Sequence, residues 1–133
     1  MKTHLKQIML ALTLVFTFAS CSSDNDDNDS INRSREVKYE VTGNYTGTLS
    51  VVYTESGNAG QSADITAFPW TKEFTASSDT AGAGLTVSGH GGVVDQTITV
   101  KIIVGGKVEK ETTAKATSDG IIIGAPGSYV FPL

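Results

Sequence analysis

Residues 97–104 read TITVKIIV, and this stretch decides the fold class of the chain. Its even-numbered positions are all isoleucine or valine, while threonine or lysine fills three of the four odd-numbered ones. A period of two places the apolar side chains on one face of a β-strand, and Ile103 predicts partial cover of the second face. Gly105-Gly106 follows. Both positions can take a positive φ without a Cβ clash, so the sequence predicts a two-residue hairpin turn.

The returning stretch, residues 107–116, carries five charged side chains. Charges discourage the pairing of one exposed sheet edge with another, so we expect this strand at the edge of a sheet. Glu109 and Glu111 would share one strand face there. They form either a carboxylate pair able to act chemically or two solvated surface charges, and the charged edge favours the second interpretation.

The rest of the chain after residue 35 continues the same pattern more weakly. Alternating or short apolar stretches predict strands near residues 37–42, 49–53, 62–67, 71–76 and 83–88, and from Ile121 onward. No segment after residue 20 shows apolar spacing of three and four over three turns, so no helix is predicted there. Short strands with glycine-rich turns indicate an all-β fold, a β-sandwich of seven to eight antiparallel strands. A closed barrel is the alternative.

Residues 1–20 have the features of a signal peptide. A short basic segment precedes residues 8–18, which are apolar except for two threonines. A helix of that length rises only about 16 Å, roughly half of the ~30 Å hydrocarbon core, so the segment fits a signal peptide better than a transmembrane anchor. The small residues Ala19 and Ser20 then precede Cys21, as at a lipoprotein processing site.

We therefore predict that Cys21 is the lipidated first residue of the mature chain, carrying a diacylglycerol and a fatty acyl group such as palmitate. Several acyl chains, at about 0.8 kcal/mol per buried methylene, would hold the protein on a membrane. An ordinary secretory signal beside a chance cysteine is the alternative.

Residues 21–35 begin with CSSDNDDNDS and are predicted to be an acidic, flexible tether. A calcium loop counted from Asp24 would need a glycine at its sixth position and a carboxylate at its twelfth, where Asp29 and Arg35 stand. Serine followed by aspartates after the cysteine also resembles the export signal of Bacteroidota-type surface lipoproteins. That resemblance implies a lipid-anchored protein of the outer membrane, exposed at the cell surface. Residues 36–133 remain as one domain.

The charge balance excludes one class of partner. The formal net charge is −4, and ten basic residues less Lys2 and Lys6 leave eight against 14 acidic ones, or −6, in the mature chain. Because a phosphate backbone is repelled by that balance, nucleic acid is not expected as a partner. Cys21 is the only cysteine, so no disulfide within the chain is expected.

Four short segments carry a family resemblance: VKYEVTG at 37–43, YT at 53–54, FPWT at 68–71 and GKV at 106–108. In order and spacing they resemble the MmpS family (mycobacterial membrane protein, small) over most of residues 36–133. The resemblance implies an immunoglobulin-like sandwich on the outer side of a membrane. It also implies an accessory role beside resistance-nodulation-division (RND) transporters that export lipids or siderophores.

The chain departs from that family in two respects. The family is anchored by an N-terminal transmembrane helix where this chain has a lipobox, and its late strands usually hold a pair of cysteines that this chain lacks. The fold therefore transfers more safely than the transporter role.

His90 is the only histidine of the predicted mature chain, in the segment SGHGG. His-Gly-Gly resembles the oxyanion loop of esterases, but that site needs a Gly-x-Ser-x-Gly elbow and a second histidine as base, and the sequence has neither. A solvent-exposed loop histidine is the favoured interpretation. One imidazole without cysteines or clustered carboxylates cannot complete a metal site, so neither a metal nor a cofactor is expected.

Three aromatic residues are candidates for a ligand platform or for packing. Trp70 follows Pro69 and could stack on a sugar with help from Tyr45 or Tyr129, but a small sandwich also needs the apolar area of an indole in its core, and the core is favoured. Separately, Ser30 and Thr80 lie in Asp-Ser/Thr-apolar triplets that resemble bacterial O-glycosylation sites. Both are expected in accessible loops.

The sequence thus predicts a non-enzymatic, lipid-anchored interaction or transport-accessory module of the cell envelope. Its expected partners are the membrane and an RND-type transporter or another envelope protein. The alternative is a surface module that binds a glycan or a host ligand, which requires exposed aromatic side chains near one end of the sandwich. A small envelope hydrolase is disfavoured, because no base and nucleophile can be paired.

Overall fold

Alternating side chains build ten strands in residues 31–133, the part of the chain that the computed structural model describes. In chain order they are β1 (Glu36–Gly43), β2 (Thr48–Thr54), β3 (Gly60–Ile65), β4 (Trp70–Thr75), β5 (Gly82–Ala83), β6 (Leu85–His90), β7 (Thr97–Val104), β8 (Lys107–Lys115), β9 (Ile122–Gly124) and β10 (Tyr129–Val130). One 3-10 turn, Ser56–Asn58, lies between β2 and β3, and this part of the chain contains no α-helix.

The strands form two four-stranded antiparallel sheets. Sheet I has the order β4-β1-β7-β8 and sheet II the order β3-β2-β6-β9, while β5 and β10 form a separate two-stranded pair. The predicted all-β sandwich is confirmed, and the barrel alternative is wrong because the sheets stay open. The eight strands of sheets I and II match the seven to eight predicted. The short β5–β10 pair was not predicted.

The predicted hairpin joins β7, a central strand of sheet I, to β8 at the edge of that sheet, where the charged returning strand was expected. Gly105 and Gly106 have φ angles of 60° and 82°, the positive values that a tight turn of this kind requires. Along β7 the even-numbered side chains are buried and the odd-numbered ones, including Ile103, are half-buried. The register of β8 shifts between Ile102 and Ile103, which pair with Lys110 and Val108. Glu109 is therefore the extra residue of a β-bulge.

The core lies between the two sheets and is built from the inward positions of each strand. Sheet I contributes valines, isoleucines and Tyr39, and sheet II contributes Leu49, Val51, Tyr53, Val87 and Ile122 among others. Aromatic rings join the layers, because the ring of Tyr53 lies 5.8 Å from that of Tyr39 and 5.7 Å from that of Trp70. These side chains exclude water from the contact between the sheets, which is the main favourable term in folding.

The sandwich has two distinct ends. We call the end where the chain enters, beside the Gly105-Gly106 turn, the entry end, and the end with loops 44–47, 91–96 and 117–121 the loop end. At the entry end the Asn32 side chain donates hydrogen bonds to the Val104 carbonyl at 2.9 Å and to Glu109 Oε2 at 2.7 Å. The folded unit therefore begins at Asn32, four residues earlier than the predicted boundary at residue 36.

The hydroxyl of Tyr39 connects the two sheets. Tyr39 lies on β1 in sheet I with its side chain fully buried. Its hydroxyl donates to the Thr54 carbonyl of β2 at 2.7 Å and accepts a hydrogen bond from the Gly84 N–H at 3.1 Å. Burial of the ring raises the pKa of Tyr39 above its usual value, an effect that the hydrogen bonds at Thr54 and Gly84 oppose in part.

Tyr39→Phe is expected to lower the free energy of unfolding by about 1–3 kcal/mol, because it removes the hydroxyl that donates to the Thr54 carbonyl and leaves the Gly84 N–H with the Thr54 hydroxyl as its remaining acceptor. It also changes the response to alkali. Since the pKa of Tyr39 is higher in the folded than in the unfolded chain, stability present below about pH 10 is lost as pH rises through the folded value.

Urea unfolding from pH 7 to pH 11 measures both effects. The wild type should lose more of its free energy of unfolding above pH 10 than Tyr39→Phe does. Equal alkaline losses in the two proteins would show that the Tyr39 hydroxyl does not couple stability to pH.

Candidate functional site

Two of the predicted modification sites, Cys21 and Ser30, lie outside the described residues. Lipidation at Cys21 and glycosylation at Ser30 therefore stay predictions. The other candidates fall within the sandwich, and their positions can be compared directly.

Tyr45 is buried at the loop end and holds three loops together. Its hydroxyl donates to the Gly120 carbonyl and accepts a hydrogen bond from the Gly92 N–H at 3.2 Å. The Gly92 N–H also donates to the Gly120 carbonyl at 3.1 Å. The sequence offered Tyr45 as an aromatic residue for either ligand stacking or packing. In the structure its side chain is part of the packed core.

The His-Gly-Gly segment is explained by the same tyrosine. His90 is exposed at the end of β6, opposite Thr48 on β2. A Cβ on Gly92 would overlap the ring of Tyr45, and a Cβ on Gly89 would come within 2.9 Å of it. Gly89 and Gly92 therefore form the surface against which the Tyr45 ring packs at the loop end.

Gln96 organises the neighbouring loop, which the sequence did not single out. Its side-chain oxygen accepts hydrogen bonds from the Thr46 N–H at 3.1 Å, the Thr46 hydroxyl at 3.1 Å and the Val93 N–H at 2.9 Å. Val93 and Val94 are exposed on this loop. The backbone of this loop is held by hydrogen bonds between Val93 and Gln96. No local sequence pattern could have shown the contact with Thr46, because Thr46 and Gln96 are fifty positions apart.

Trp70 lies on the inner face of sheet I, at the start of edge strand β4. It is half-buried and packs against the core beside Tyr53. The peptide bond between Phe68 and Pro69 just before it is cis. The indole thus faces the other sheet, as the packing interpretation requires.

Tyr129 is buried at the entry end, the opposite end from Tyr45. Its hydroxyl donates to the Asn32 carbonyl at 3.3 Å, and its ring makes an edge contact with Phe131 at 5.3 Å. The guanidinium of Arg35 lies 4.4 Å from the Phe131 ring centre. Burial, with a smaller effect of the nearby Glu109 charge, raises the pKa of Tyr129. Tyr45, Trp70 and Tyr129 therefore occupy separate places and form no common aromatic platform.

Thr80 is not accessible in the folded domain. Its side chain is only 2% exposed, its hydroxyl accepts a hydrogen bond from the Gly57 N–H at 2.7 Å, and its carbonyl accepts one from Arg35 at 2.9 Å. The expectation that Thr80 lies in an accessible loop is wrong, because the 3-10 turn and Arg35 enclose it. A transferase could reach this hydroxyl only in an unfolded chain.

Glu109 and Glu111 have separate surroundings. Glu109, in the bulge, is half-buried and accepts the Asn32 hydrogen bond. Glu111 lies on the outer face of sheet I within 4.0 Å of Lys101, which is also 3.8 Å from Glu40. The prediction that both carboxylates are solvated is wrong for Glu109. Its partner comes from a segment that the sequence assigned to the tether.

The outer faces of the two sheets differ in charge. On sheet I the outward positions hold many charged side chains: Glu36, Lys38, Glu40, Glu73, Lys101, Glu111 and Lys115. On sheet II they hold hydroxyl and aliphatic side chains with one carboxylate and one imidazole: Thr48, Ser50, Val52, Ser62, Asp64, Thr86, Ser88, His90 and Ile123. Val52 and Ile123 are 59% and 64% exposed. We call this surface the sheet II outer face.

Two shallow depressions lie beside Val52 on this face. One, of about 290 Å³, is lined by Thr54, Gly60, Gly84, Thr86 and Ala125 among others. The other, of about 380 Å³, is lined by Ser50, Val52, Ser62 and Asp64 with neighbouring backbone. Neither brings together ionisable groups in a way that would support acid–base chemistry.

Within residues 31–133, no three histidine, cysteine, aspartate or glutamate side chains are grouped so that they could bind a metal ion. The same residues contain no helix of the length and hydropathy needed to span a bilayer.

Gly92→Ala is expected to lower the free energy of unfolding by about 1–3 kcal/mol, because the new methyl group must displace the Tyr45 ring. Gly60→Ala is the matched control, since a Cβ there meets no atom within 4 Å, and its effect should stay within about 0.5 kcal/mol. Chemical denaturation of both variants measures the difference. Similar values for the two would argue against the role of Tyr45 in holding the loops.

The comparison with known families agrees with the architecture. Among curated proteins, none matches the chain. A family model described as Mycobacterium membrane protein matches residues 12–120, which is 109 of the 133 positions. The match starts within the predicted signal peptide and includes strands β1 to β8. The chain therefore belongs to the Mycobacterium membrane protein family, the MmpS-like family that its strand motifs resemble.

Proposed function

We propose that the protein is a lipid-anchored, non-enzymatic interaction module of the cell envelope that serves a membrane transporter as an accessory subunit. The main support for the proposal is that the tyrosine side chains serve packing and are not available to a ligand. Tyr39, Tyr45 and Tyr129 are buried, which leaves the outer faces of the sheets, and not an aromatic ligand site, as the surfaces open to a protein partner. Family membership supports an envelope location.

The position of the entry end supports the anchoring part of the proposal. Ten peptide units separate Cys21 from Ile31, and an extended chain of that length spans at most about 35 Å. A lipid on Cys21 would hold the sandwich close to the bilayer surface, within reach of the exposed part of a transporter.

The structure offers less support for the glycan-binding alternative. That function uses exposed aromatic rings on which a sugar can stack. Tyr45 and Tyr129 are buried at opposite ends of the sandwich, and Trp70 faces the inner layer. Binding of the purified protein to a glycan array would favour this alternative over the accessory function.

Replacing Cys21 tests the anchor. In cells supplied with a clickable palmitate analogue, the wild type should be labelled and should sediment with membranes. Cys21→Ala should lose the label and should leave the membrane fraction, because the thiol is the atom that takes the lipid. Ser22→Ala is the control, since it keeps the thiol and should behave as the wild type. Equal labelling and sedimentation of Cys21→Ala would refute lipid anchoring.

Co-purification tests the accessory function. The tagged full-length protein, solubilised from membranes in mild detergent, should capture an RND-type transporter that mass spectrometry identifies. Cys21→Ala should capture less, because an anchor on the same membrane raises the effective concentration of the two partners. Capture of no transporter by the anchored wild type would contradict the proposal.

A further inference from the structure

We propose that the sheet II outer face is the contact surface for a second copy of this chain, which gives a face-to-face dimer on the membrane. The proposal extends the interaction module described above, since it rests on the anchoring of the chain, and it names the partner of one surface.

The charge distribution favours the approach of two copies through this face. Two mature chains, each with a net charge of −6 once Lys2 and Lys6 are removed, repel each other in general. Moving a charged group out of water costs far more than moving a hydroxyl that can find a new partner. The outer face of sheet I would bring the charges of Glu40, Lys101 and Glu111 into the contact. On the sheet II outer face, Asp64 is the one carboxylate among the strand residues, and it lies on edge strand β3.

The position of the tether selects the arrangement of the two copies. Both chains enter the domain at the entry end, so two lipids reach one membrane most directly when the two entry ends lie on the same side of the dimer. A twofold axis that lies between the faces and runs along β6 meets this requirement. Pairing of two β3 edges does not, because antiparallel strands would place the two entry ends in opposite directions.

The same axis makes the surface complementary to itself. Strands β2 and β9 lie on either side of β6, each about 4.8 Å away. Rotation about β6 therefore brings Val52 of one copy over the depression beside Thr86 and Ala125 of the other. It brings Ile123 over the depression beside Ser50. The two exposed aliphatic side chains of the face thus meet its two depressions.

The area predicts a weak dimer. Three strands of six or seven residues and the three-residue β9 give a face of at most roughly 20 by 20 Å. The two copies together would bury on the order of 1,000 Å², at the lower limit for a specific interface. Such a contact forms when both chains are concentrated on one membrane. The proposal therefore applies to the anchored protein and predicts little dimer for a dilute, unanchored domain.

Cross-linking of the full-length protein in intact membranes tests the arrangement. Ser88 is exposed and lies on β6, on the proposed axis, so Ser88→Cys should be joined to its own copy by a short bis-maleimide. Thr71→Cys, exposed on the outer face of sheet I, is the matched control. We expect the dimer band of Ser88→Cys to exceed that of Thr71→Cys by roughly tenfold. Wild type reports any cross-link through Cys21.

A second substitution separates contact from folding. Val52→Lys in the Ser88→Cys chain should reduce the cross-linked fraction by about tenfold, because it places two positive charges against a closing interface. Thr75→Lys, on the outer face of sheet I, should leave it unchanged. Thermal unfolding should show both lysine variants folded, since both side chains are exposed.

Two results would overturn the proposal. If Ser88→Cys cross-links no more than Thr71→Cys, the face is not a dimer contact. If Ser88→Cys forms a band with a different protein and no dimer, that protein covers the face in place of a second copy. Transporter capture by wild type is measured separately, so a failed dimer leaves the accessory function standing, and a failed capture leaves the dimer standing.

Discussion

The hydroxyl of Tyr39 lies between the two sheets, where water is excluded. A buried hydroxyl is stable there when it both donates and accepts a hydrogen bond. The Tyr39 hydroxyl donates a hydrogen bond to the Thr54 carbonyl and accepts one from the Gly84 N–H. These two bonds hold sheet I against the junction between β5 and β6. Tyr45 acts similarly at the loop end through Gly92 and Gly120. Two buried hydroxyls thus hold the two ends of a sandwich that has no disulfide.

The strands of the main sheets could be predicted because their information is local. A period of two in β7, followed by two glycines, determines a hairpin wherever it occurs. The pair β5–β10 could not be predicted in this way, because two-residue strands have no period. The early start of the domain was also hidden. From the sequence Asn32 looks like a residue of the tether. Its contacts with the domain are made to Val104 and Glu109, which lie more than seventy positions away in the sequence.

The candidate residues show the same division. The sequence identified His90 and the tyrosines by their chemical type, but type does not determine exposure. The structure explains Gly89 and Gly92 by the Tyr45 ring that packs against them. It explains Gln96 by the hydrogen bonds that its side-chain oxygen accepts from Thr46 and Val93. Thr80 resembled an accessible acceptor until Arg35 and the 3-10 turn enclosed it. In each case the deciding contact joins residues far apart in sequence, which a pattern of neighbouring residues does not contain.

The two outer faces of the sandwich differ in the cost of removing them from water. Both come from the same chain and border the same core, and hydroxyl groups or charges would serve equally well to keep a sheet hydrated. Charges on sheet I make that face costly to remove from water, because each must lose its hydration or find a partner. Threonine and serine hydroxyls on sheet II can exchange water for a neighbouring group at little cost, and Val52 and Ile123 gain from leaving water. A face of this composition can be covered and uncovered with small changes in free energy. That property suits a reversible contact at a membrane, and it follows from residue types at alternate positions of four strands.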